Sequence, residues 1–169
     1  MVNFKAISEN DISKIFNWLN HDHVSKYWDN KPTTYEEAYN KYTKRIKKGI
    51  IQTYLIVCDE TEIGLIQTYI NKELELYKIE EKSMGIDLFI GELDYVGKGI
   101  GPIALKKFIK TKCFNDKTVK YVTIDPSEDN KYAYKAYKKV GFKHVNTALC
   151  TSCKEHNNYY MILSRQDYN

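Results

Sequence analysis

The chain has 169 residues, of which 43% are hydrophobic and 14% aromatic, so the composition excludes a disordered protein and indicates about one folded domain. Its 26 basic and 22 acidic residues give a net charge of +4, too small a surplus to indicate a nucleic-acid-binding protein. No apolar run approaches the ~18 residues of a membrane span, and the N-terminus lacks the apolar core of a signal peptide. We therefore expect a soluble, cytoplasmic protein that binds neither nucleic acid nor membranes.

The first fifty residues predict a strand followed by two helices. Residues 2–7 alternate apolar and polar side chains, as an opening strand does. Apolar residues at helical spacing then follow Asn10, which we expect to be an N-cap. The second helix is predicted to begin at the capping box Thr34-x-x-Glu37 and to end at Gly49. Its apolar stripe is expected to comprise Tyr35, Ala38, Tyr39, Tyr42 and Ile46.

The middle of the chain predicts three more strands and two loops. The runs 51–57 and 63–70 are rich in β-branched and aromatic residues and are separated by four acidic or polar residues, so they predict a hairpin. Residues 84–90 predict a further strand. The segments 21–32 and 71–82 lack such periodicity and are predicted as loops.

The last third of the chain alternates helix and strand before it ends in two strands. Helices are predicted over 102–113 and 129–139, with a strand over 119–124 between them and Gly141 as the stop of the second helix. The closing strands are 141–147 and 158–164. No repeat or linker interrupts the chain, so we expect a single domain over residues 1–169.

A glycine-rich loop precedes the helix predicted at 102–113. Alternating glycines allow a tight turn whose N–H groups approach a ligand, and the start of a helix adds further donors. Pro102 suits the first helical position, where no N–H is needed. These features predict a site for a phosphate or pyrophosphate group. The loop consists of Gly97, Lys98, Gly99, Ile100 and Gly101.

Three phosphate-binding motifs compete for this loop. A P-loop is excluded because no Ser or Thr follows the Gly-Lys pair and the upstream glycine is missing. A dinucleotide fingerprint is closer, since Gly99-x-Gly101-x-x-Ala104 fits it and Asp125 follows a strand about 20 residues later. However, the strand ending at Ile90 is too far from Gly99 for that fold's tight first turn. The third motif is the acetyl-CoA loop of the GNAT superfamily of N-acetyltransferases.

The chain resembles the GNAT superfamily over nearly its whole length. The family signature Arg/Gln-x-x-Gly-x-Gly/Ala is matched by residues 96–101 in all but the first position, where Val96 stands. Residues 130–142 are similar to the family segment Asn-x-x-Ala…Tyr-x-x-x-Gly-Phe. Val96 and Pro102 are the two departures, and Pro102 removes one N–H from the helix start. Two motifs in the right order are more specific than either alone.

Within the superfamily, residues 85–92, 97–101 and 124–127 are most similar to the aminoglycoside 6′-N-acetyltransferases. The resemblance implies an α+β fold with a mixed, mostly antiparallel, V-shaped sheet of six to seven strands and about four helices. Acetyl-CoA would enter where the sheet splays open, and the amine would enter from the opposite side. It also implies acetyl transfer to the 6′-amino group of an aminoglycoside, which would confer antibiotic resistance, by a monomer or homodimer.

Two residues carry the expected chemistry. An amine must lose a proton before it attacks a thioester, and Asp87, in an otherwise apolar strand, matches the family base that acts directly or through water. Phe89 shares its face of the strand and indicates that this face is partly covered. Tyr137 matches the family tyrosine that protonates the departing thiolate.

The resemblance also implies which residues hold the two substrates. Those expected to bind the cofactor are Leu88, Phe89, Ile90, Val96, Gly97, Lys98, Gly99, Ile100, Gly101, Asn130, Ala133 and Tyr137. Those expected to contact the amine are Trp28, Tyr54, Gln67, Tyr69, Asp87 and Asp125. Because an aminoglycoside is a polycation, further acids are expected nearby, with candidates at Glu73, Glu75, Glu92 and Asp94.

The four cysteines predict no metal centre. Cys150-x-x-Cys153 with His156 looks like part of a zinc site, but such a site needs four ligands at defined spacing and no second pair follows. Thiols in a loop are the alternative that we adopt. For function, three alternatives to an aminoglycoside enzyme stay open. They are an acetyltransferase for a siderophore precursor, polyamine or protein N-terminus, a non-catalytic acyl-CoA-binding module and, more distantly, a dinucleotide-binding protein.

Overall fold

The computed structural model of the protein describes residues 1–168 and contains a seven-stranded mixed sheet and five α-helices. The strands are β1 Val2–Ala6, β2 Gln52–Cys58, β3 Thr61–Ile70, β4 Ser83–Ile90, β5 Tyr121–Ile124, β6 Lys143–Leu149 and β7 Asn157–Ser164. The helices are α1 Ile12–Leu19, α2 Asp22–Ser25, α3 Tyr35–Lys48, α4 Ile100–Phe108 and α5 Lys131–Val140. Among the described residues, no helix is long and apolar enough to cross a membrane.

The strand order is β1-β2-β3-β4-β5-β7-β6, which confirms the predicted mixed sheet. The pairs β1–β2, β2–β3, β5–β7 and β7–β6 are antiparallel, whereas β4 and β5 run parallel over Ser83–Gly85 and Tyr121–Thr123. The fifth helix is α2, which lies in the segment 21–32 that the sequence predicted as a loop. Predicted helix 102–113 begins two residues earlier and continues beyond α4 as a π-helical turn over Ile109–Cys113.

The backbone divides into two compact units. The first comprises Met1–Thr68 and Asp87–Ala104, and the second comprises Tyr69–Ile86 and the chain from Leu105 onward. The first unit packs its own apolar core from α1, α2, α3 and the strands, with Ile12, Ile15, Trp18, Leu19, Val24, Ala38, Tyr42, Leu55, Leu65 and Phe89 buried. The second unit has a smaller buried cluster of Tyr77, Ile79 and Tyr160.

The entry to α1 differs from the prediction. Asn10 was expected to cap the helix, but it lies within a short 3₁₀ turn over Glu9–Asp11. The Asp11 carboxylate instead accepts hydrogen bonds from both the backbone N–H and the hydroxyl of Ser8, each at 2.8 Å. Burial alone would raise the pKa of Asp11, but hydrogen bonds from Lys5 and Ser8 hold it below its usual value. The cap was therefore missed because the aspartate reaches back across the turn.

Helix α3 has the predicted ends but a narrower buried face. Thr34 accepts a hydrogen bond from the Glu37 backbone N–H at 3.2 Å, and Gly49 ends the helix with φ +63°. The buried residues are Ala38, Tyr42 and Thr43. Of the predicted stripe, Tyr35, Tyr39 and Ile46 are 47%, 38% and 39% exposed, so they lie on the edges of the buried face.

Candidate active site

The segment that joins β4 to the glycine loop begins with a close aromatic contact at Gly91. Gly91 lies so near Trp18 that an added Cβ would come within 2.3 Å of the ring, and the Gly91 N–H donates to the Ile63 carbonyl at 2.8 Å. The Trp18 indole N–H donates to Glu92 at 2.8 Å. Glu92 was a candidate acid for a polycationic substrate, and the structure gives it this anchoring role.

The loop itself has the backbone that its glycines permit. Gly97 and Gly99 adopt φ values of +75° and +76°, and an added Cβ at either would meet nothing within 4 Å. The glycines are thus required by backbone conformation rather than by space. Both glycines are exposed, as are Val96 and Lys98. Because α4 begins at Ile100, Pro102 is its third residue and not its first as predicted.

Strand β4, which precedes the glycine loop, carries half-buried side chains next to a buried one. Leu88 and Ile90, both expected to bind the cofactor, are half-buried. Phe89, expected in the same role, is buried among aromatic rings, with its centroid 6.3 Å from that of Trp18 and 4.9 Å from that of Trp28. A ligand contact at Phe89 would therefore use its backbone. Trp28 is half-buried and packs edge-on against Phe89.

A chain of hydrogen bonds holds Asp87. The Gln67 side-chain amide donates to the Asp87 carboxylate at 2.7 Å, and the Gln67 carbonyl oxygen accepts from Arg45 Nη1 at 2.6 Å. Gln67 is only 4% exposed, whereas Asp87 is half-buried. A buried amide that is bonded at both ends has a fixed orientation. Gln67, expected to contact substrate, therefore positions the carboxylate.

Helix α3 also places the Lys41 ammonium near the hydrogen-bonded residues Arg45, Gln67 and Asp87. Burial lowers the pKa of the Lys41 ammonium and repulsion from Arg45 lowers it further, while attraction to Asp87 acts in the opposite direction. The Arg45 guanidinium lies 5.0 Å from the Tyr42 ring centroid. Burial raises the pKa of Tyr42 to about 12, and its hydroxyl has no hydrogen-bond partner among the described residues. Asp87 thus lies within electrostatic reach of two cations.

The other substrate residue expected in the first unit lies on β2. The Tyr54 ring is half-buried, and its hydroxyl donates to Gln52 at 3.3 Å.

The second unit carries the remaining substrate residues. The Asp125 carboxylate accepts a hydrogen bond from the Asn158 side chain at 2.9 Å. Burial raises the pKa of the Tyr160 hydroxyl, and the negative charges of Asp125 and Glu73 raise it further, so each of these acids lies within electrostatic reach of Tyr160. The Tyr69 ring lies against Gly85, where an added Cβ would come within 2.4 Å of it.

Helix α5 carries the predicted tyrosine. Asn130, expected to bind the cofactor, caps the helix by accepting a hydrogen bond from the Ala133 N–H at 3.1 Å. Tyr137 and Ala133 are half-buried. The Tyr137 ring centroid is 6.2 Å from that of Phe142, and Gly141 ends the helix with φ +117°.

Comparison with known proteins decides the family. Residues 8–148 match the family described as an acetyltransferase (GNAT) domain. The chain belongs to the GNAT acetyltransferase family. It is therefore an acyltransferase, and its mixed sheet and glycine loop are those that the resemblance implied.

The similar proteins within the family include several aminoglycoside enzymes. The chain is 24% identical to aminoglycoside N(6′)-acetyltransferase type 1 from Klebsiella pneumoniae over 99% of this chain and 85% of that protein. The structure of AAC(6′)-Ib with ribostamycin and coenzyme A matches with a TM-score of 0.86, 23% identity and coverage of 99% and 95% of the two chains. The structure of the same enzyme with coenzyme A and kanamycin matches with a TM-score of 0.85, 24% identity and coverage of 99% and 97%.

Sequence reasoning missed Arg45 and Asn158, which hold two of the predicted carboxylates. One signal was available for Arg45, because it is one of only two arginines in a lysine-rich chain. A bidentate, rigid guanidinium is preferred where a side chain must be oriented. For Asn158, nothing in the sequence distinguishes it from the other asparagines.

The loop geometry makes a stability prediction with an internal control. Replacing Gly99 with alanine forces a Cβ into the left-handed region and is expected to lower the free energy of unfolding by about 1–2 kcal/mol. Gly101 has no left-handed φ, lies in α4 and has open space around it. Gly101→Ala is therefore expected to stabilise the protein by roughly 0.5–1 kcal/mol.

Urea denaturation of the two variants and the parent measures both effects. Equal effects of the two substitutions would contradict the assignment of backbone strain to position 99.

Proposed function

We propose that the protein transfers an acetyl group from acetyl-CoA to the 6′-amino group of an aminoglycoside. The observation that carries the proposal is the Asp87 carboxylate, which Gln67 holds at 2.7 Å on β4, the strand that leads directly into the glycine loop. The similarity to aminoglycoside N(6′)-acetyltransferase type 1 over 99% of the chain supports the acceptor class. Resistance to such antibiotics would be the consequence in a cell.

The base would act on the acceptor amine. A primary ammonium is mostly protonated near neutral pH and cannot attack until it loses a proton. Asp87 has one carboxylate oxygen bonded to Gln67, which fixes the orientation of the carboxylate. In the proposed mechanism this carboxylate takes the proton of the ammonium directly or through a bridging water. The neutral amine then attacks the thioester carbonyl, and a C–N bond forms.

The acid would act on the leaving group. The tetrahedral intermediate collapses with cleavage of the C–S bond, and the departing thiolate takes a proton that we assign to the Tyr137 hydroxyl. The tyrosinate regains a proton as the amide nitrogen loses its second one. The assignment rests on the match of Tyr137 to the family tyrosine and on its position at the half-buried face of α5. Proton transfers of this kind contribute rate factors of about 10²–10⁴.

The glycine loop would hold acetyl-CoA. The left-handed conformations of Gly97 and Gly99 turn successive backbone N–H groups in a tight loop at the start of α4, where the helix dipole adds positive potential. That combination suits the pyrophosphate of coenzyme A. The structures of AAC(6′)-Ib that match this chain contain coenzyme A, which supports this choice of ligand.

Acceptor binding would use aromatic and acidic side chains. Trp28, Tyr54 and Tyr69 are half-buried and offer aromatic surface to a sugar ring. Asp125 and Glu73 offer negative charge to a polycation. The proposal thus keeps the predicted substrate residues except Gln67, to which it gives a positioning role.

The acceptor is tested by measuring thiol release from acetyl-CoA in the presence of kanamycin, ribostamycin or spermidine. We expect release that depends on either aminoglycoside and is much slower with spermidine. Asp87→Asn keeps the size of the side chain but cannot accept the amine proton, so kcat should fall by about 10²–10⁴-fold. Binding of acetyl-CoA, measured by calorimetry, should be unchanged.

Glu60→Gln is the control, because Glu60 is an exposed acid in the turn between β2 and β3 and has no part in the proposed site. Its kinetics should match those of the parent. Release with spermidine but not with aminoglycosides would overturn the acceptor, and full activity of Asp87→Asn would overturn the base.

The positioning chain makes a separate prediction. Arg45→Met removes the donor to the Gln67 carbonyl oxygen, so the Gln67 amide is no longer held against Asp87. We expect kcat to fall about 10-fold, which corresponds to about 1.4 kcal/mol, with the affinity for acetyl-CoA unchanged. Lys44→Met, one residue earlier on the exposed face of α3, is the matched control and should leave kcat unchanged. A loss of acetyl-CoA affinity in Arg45→Met would indicate a general structural role instead.

A further inference from the structure

The turn between β6 and β7 gathers three side chains that bind soft metal ions. Cys150, Cys153 and His156 each offer a sulfur or ring nitrogen, and these atoms lie within 4.8 Å of one another. Cys150 is 2% exposed, and the other two are half-buried. All three belong to the second unit and to seven consecutive residues. Nothing in the acetyl-transfer chemistry uses them.

The spacing of these atoms is close to what a tetrahedral metal ion requires. Zinc binds thiolate sulfur at about 2.3 Å and imidazole nitrogen at about 2.0–2.1 Å, so two ligand atoms on one ion are roughly 3.4–3.8 Å apart. From separations of at most 4.8 Å, the ligand atoms need to move together by only about 1 Å. Side-chain rotation alone covers such a distance.

The backbone of the turn is arranged around the first sulfur. The Cys153 N–H donates to Cys150 Sγ at 3.3 Å, and the Ser152 hydroxyl lies 3.3 Å from the same atom. Hydrogen bonds of this kind stabilise the thiolate form, which is the form that binds metal. The buried Cys150 side chain therefore has polar neighbours of the kind found around metal-binding thiolates.

Backbone hydrogen bonds in the rest of the turn place His156 beside Cys150. The Lys154 N–H donates to the Cys150 carbonyl oxygen at 3.0 Å, and Lys154 itself adopts a left-handed φ of +59°. A non-glycine residue in that conformation is uncommon. The chain therefore reverses direction directly after Cys153. The Cys150 N–H then donates to the His156 carbonyl oxygen at 2.8 Å, which fixes the histidine beside the first cysteine.

We propose that Cys150, Cys153 and His156 bind a Zn²⁺ ion. Two thiolates and an imidazole suit zinc better than magnesium or calcium, which prefer oxygen ligands. The turn supplies three ligands, and a tetrahedral ion takes its fourth ligand from outside the turn. The ion cross-links the two ends of the β6–β7 connection, so its binding energy adds to the stability of this hairpin. The site is independent of the proposed acetyl transfer.

Cobalt titration of the full-length protein tests the site. The protein is purified under reducing conditions and stripped with a chelator, and Co²⁺ is then added. We expect one Co²⁺ per chain, the intense absorption of thiolate-to-cobalt charge transfer, and displacement of cobalt by one equivalent of Zn²⁺. Zn²⁺ should also raise the melting temperature of the stripped protein.

Three variants distinguish metal binding at this turn from metal binding at other cysteines. Cys153→Ser and His156→Gln change half-buried ligands, so they are expected to fold, and each should weaken Co²⁺ binding by at least about 100-fold, since even substitutions around a metal site cost 10- to 100-fold. Cys58→Ser is the control, because it removes a buried thiol that belongs to the first unit, and it should bind Co²⁺ like the parent.

Three results would overturn the proposal. The first is that the reduced protein binds no stoichiometric Co²⁺. The second is that Cys153→Ser and His156→Gln bind it as tightly as the parent does. The third is that Cys150 and Cys153 are joined by a disulfide in the protein as isolated under reducing conditions.

Discussion

The hydrogen bond between Gln67 and Asp87 is the contact on which the proposed chemistry depends. A carboxylate on an otherwise apolar strand is useful as a base only if its orientation is fixed, and a buried amide bonded at both ends provides that. Gln67 can do so because Arg45, from α3, binds its other end at 2.6 Å. Trp18 of α1 and Trp28, which follows α2, pack their rings against Phe89 of the same strand. Strand β4 thus carries both Phe89, which is packed in the core, and Asp87, the proposed base.

The same strand also determines where the glycine loop begins. Gly91 follows β4 and is pressed against Trp18, so the chain leaves the core at a defined point. Six residues later, the left-handed glycines at 97 and 99 turn it into α4. The proposed base and the proposed phosphate-binding loop therefore lie on one continuous segment of the first unit. The close contact at Gly91 and the left-handed conformations of Gly97 and Gly99 account for three of the glycines in this segment.

Sequence reasoning predicted the elements with strong periodicity and missed those set by tertiary contacts. The seven strands and the ends of α3 at Thr34 and Gly49 follow from alternation and capping, which are local. The cap at Asp11 and the role of Gln67 depend on partners distant in the chain or on a carboxylate that reaches backward, so no local pattern reveals them. Likewise, the sequence contains Cys150, Cys153 and His156 at close spacing but does not show that their ligand atoms lie within 4.8 Å of one another. The single domain predicted for the chain and the roles of Tyr137 and Asp125 stay predictions.

The central claim is that this chain acetylates the 6′-amino group of an aminoglycoside, and the structure of the reaction product tests it most directly. The product formed from kanamycin and acetyl-CoA should be isolated and its acetylated nitrogen assigned by two-dimensional NMR spectroscopy. The account predicts a single acetyl group on the 6′-nitrogen. An acetyl group on any other amine, or on a hydroxyl oxygen, would contradict it.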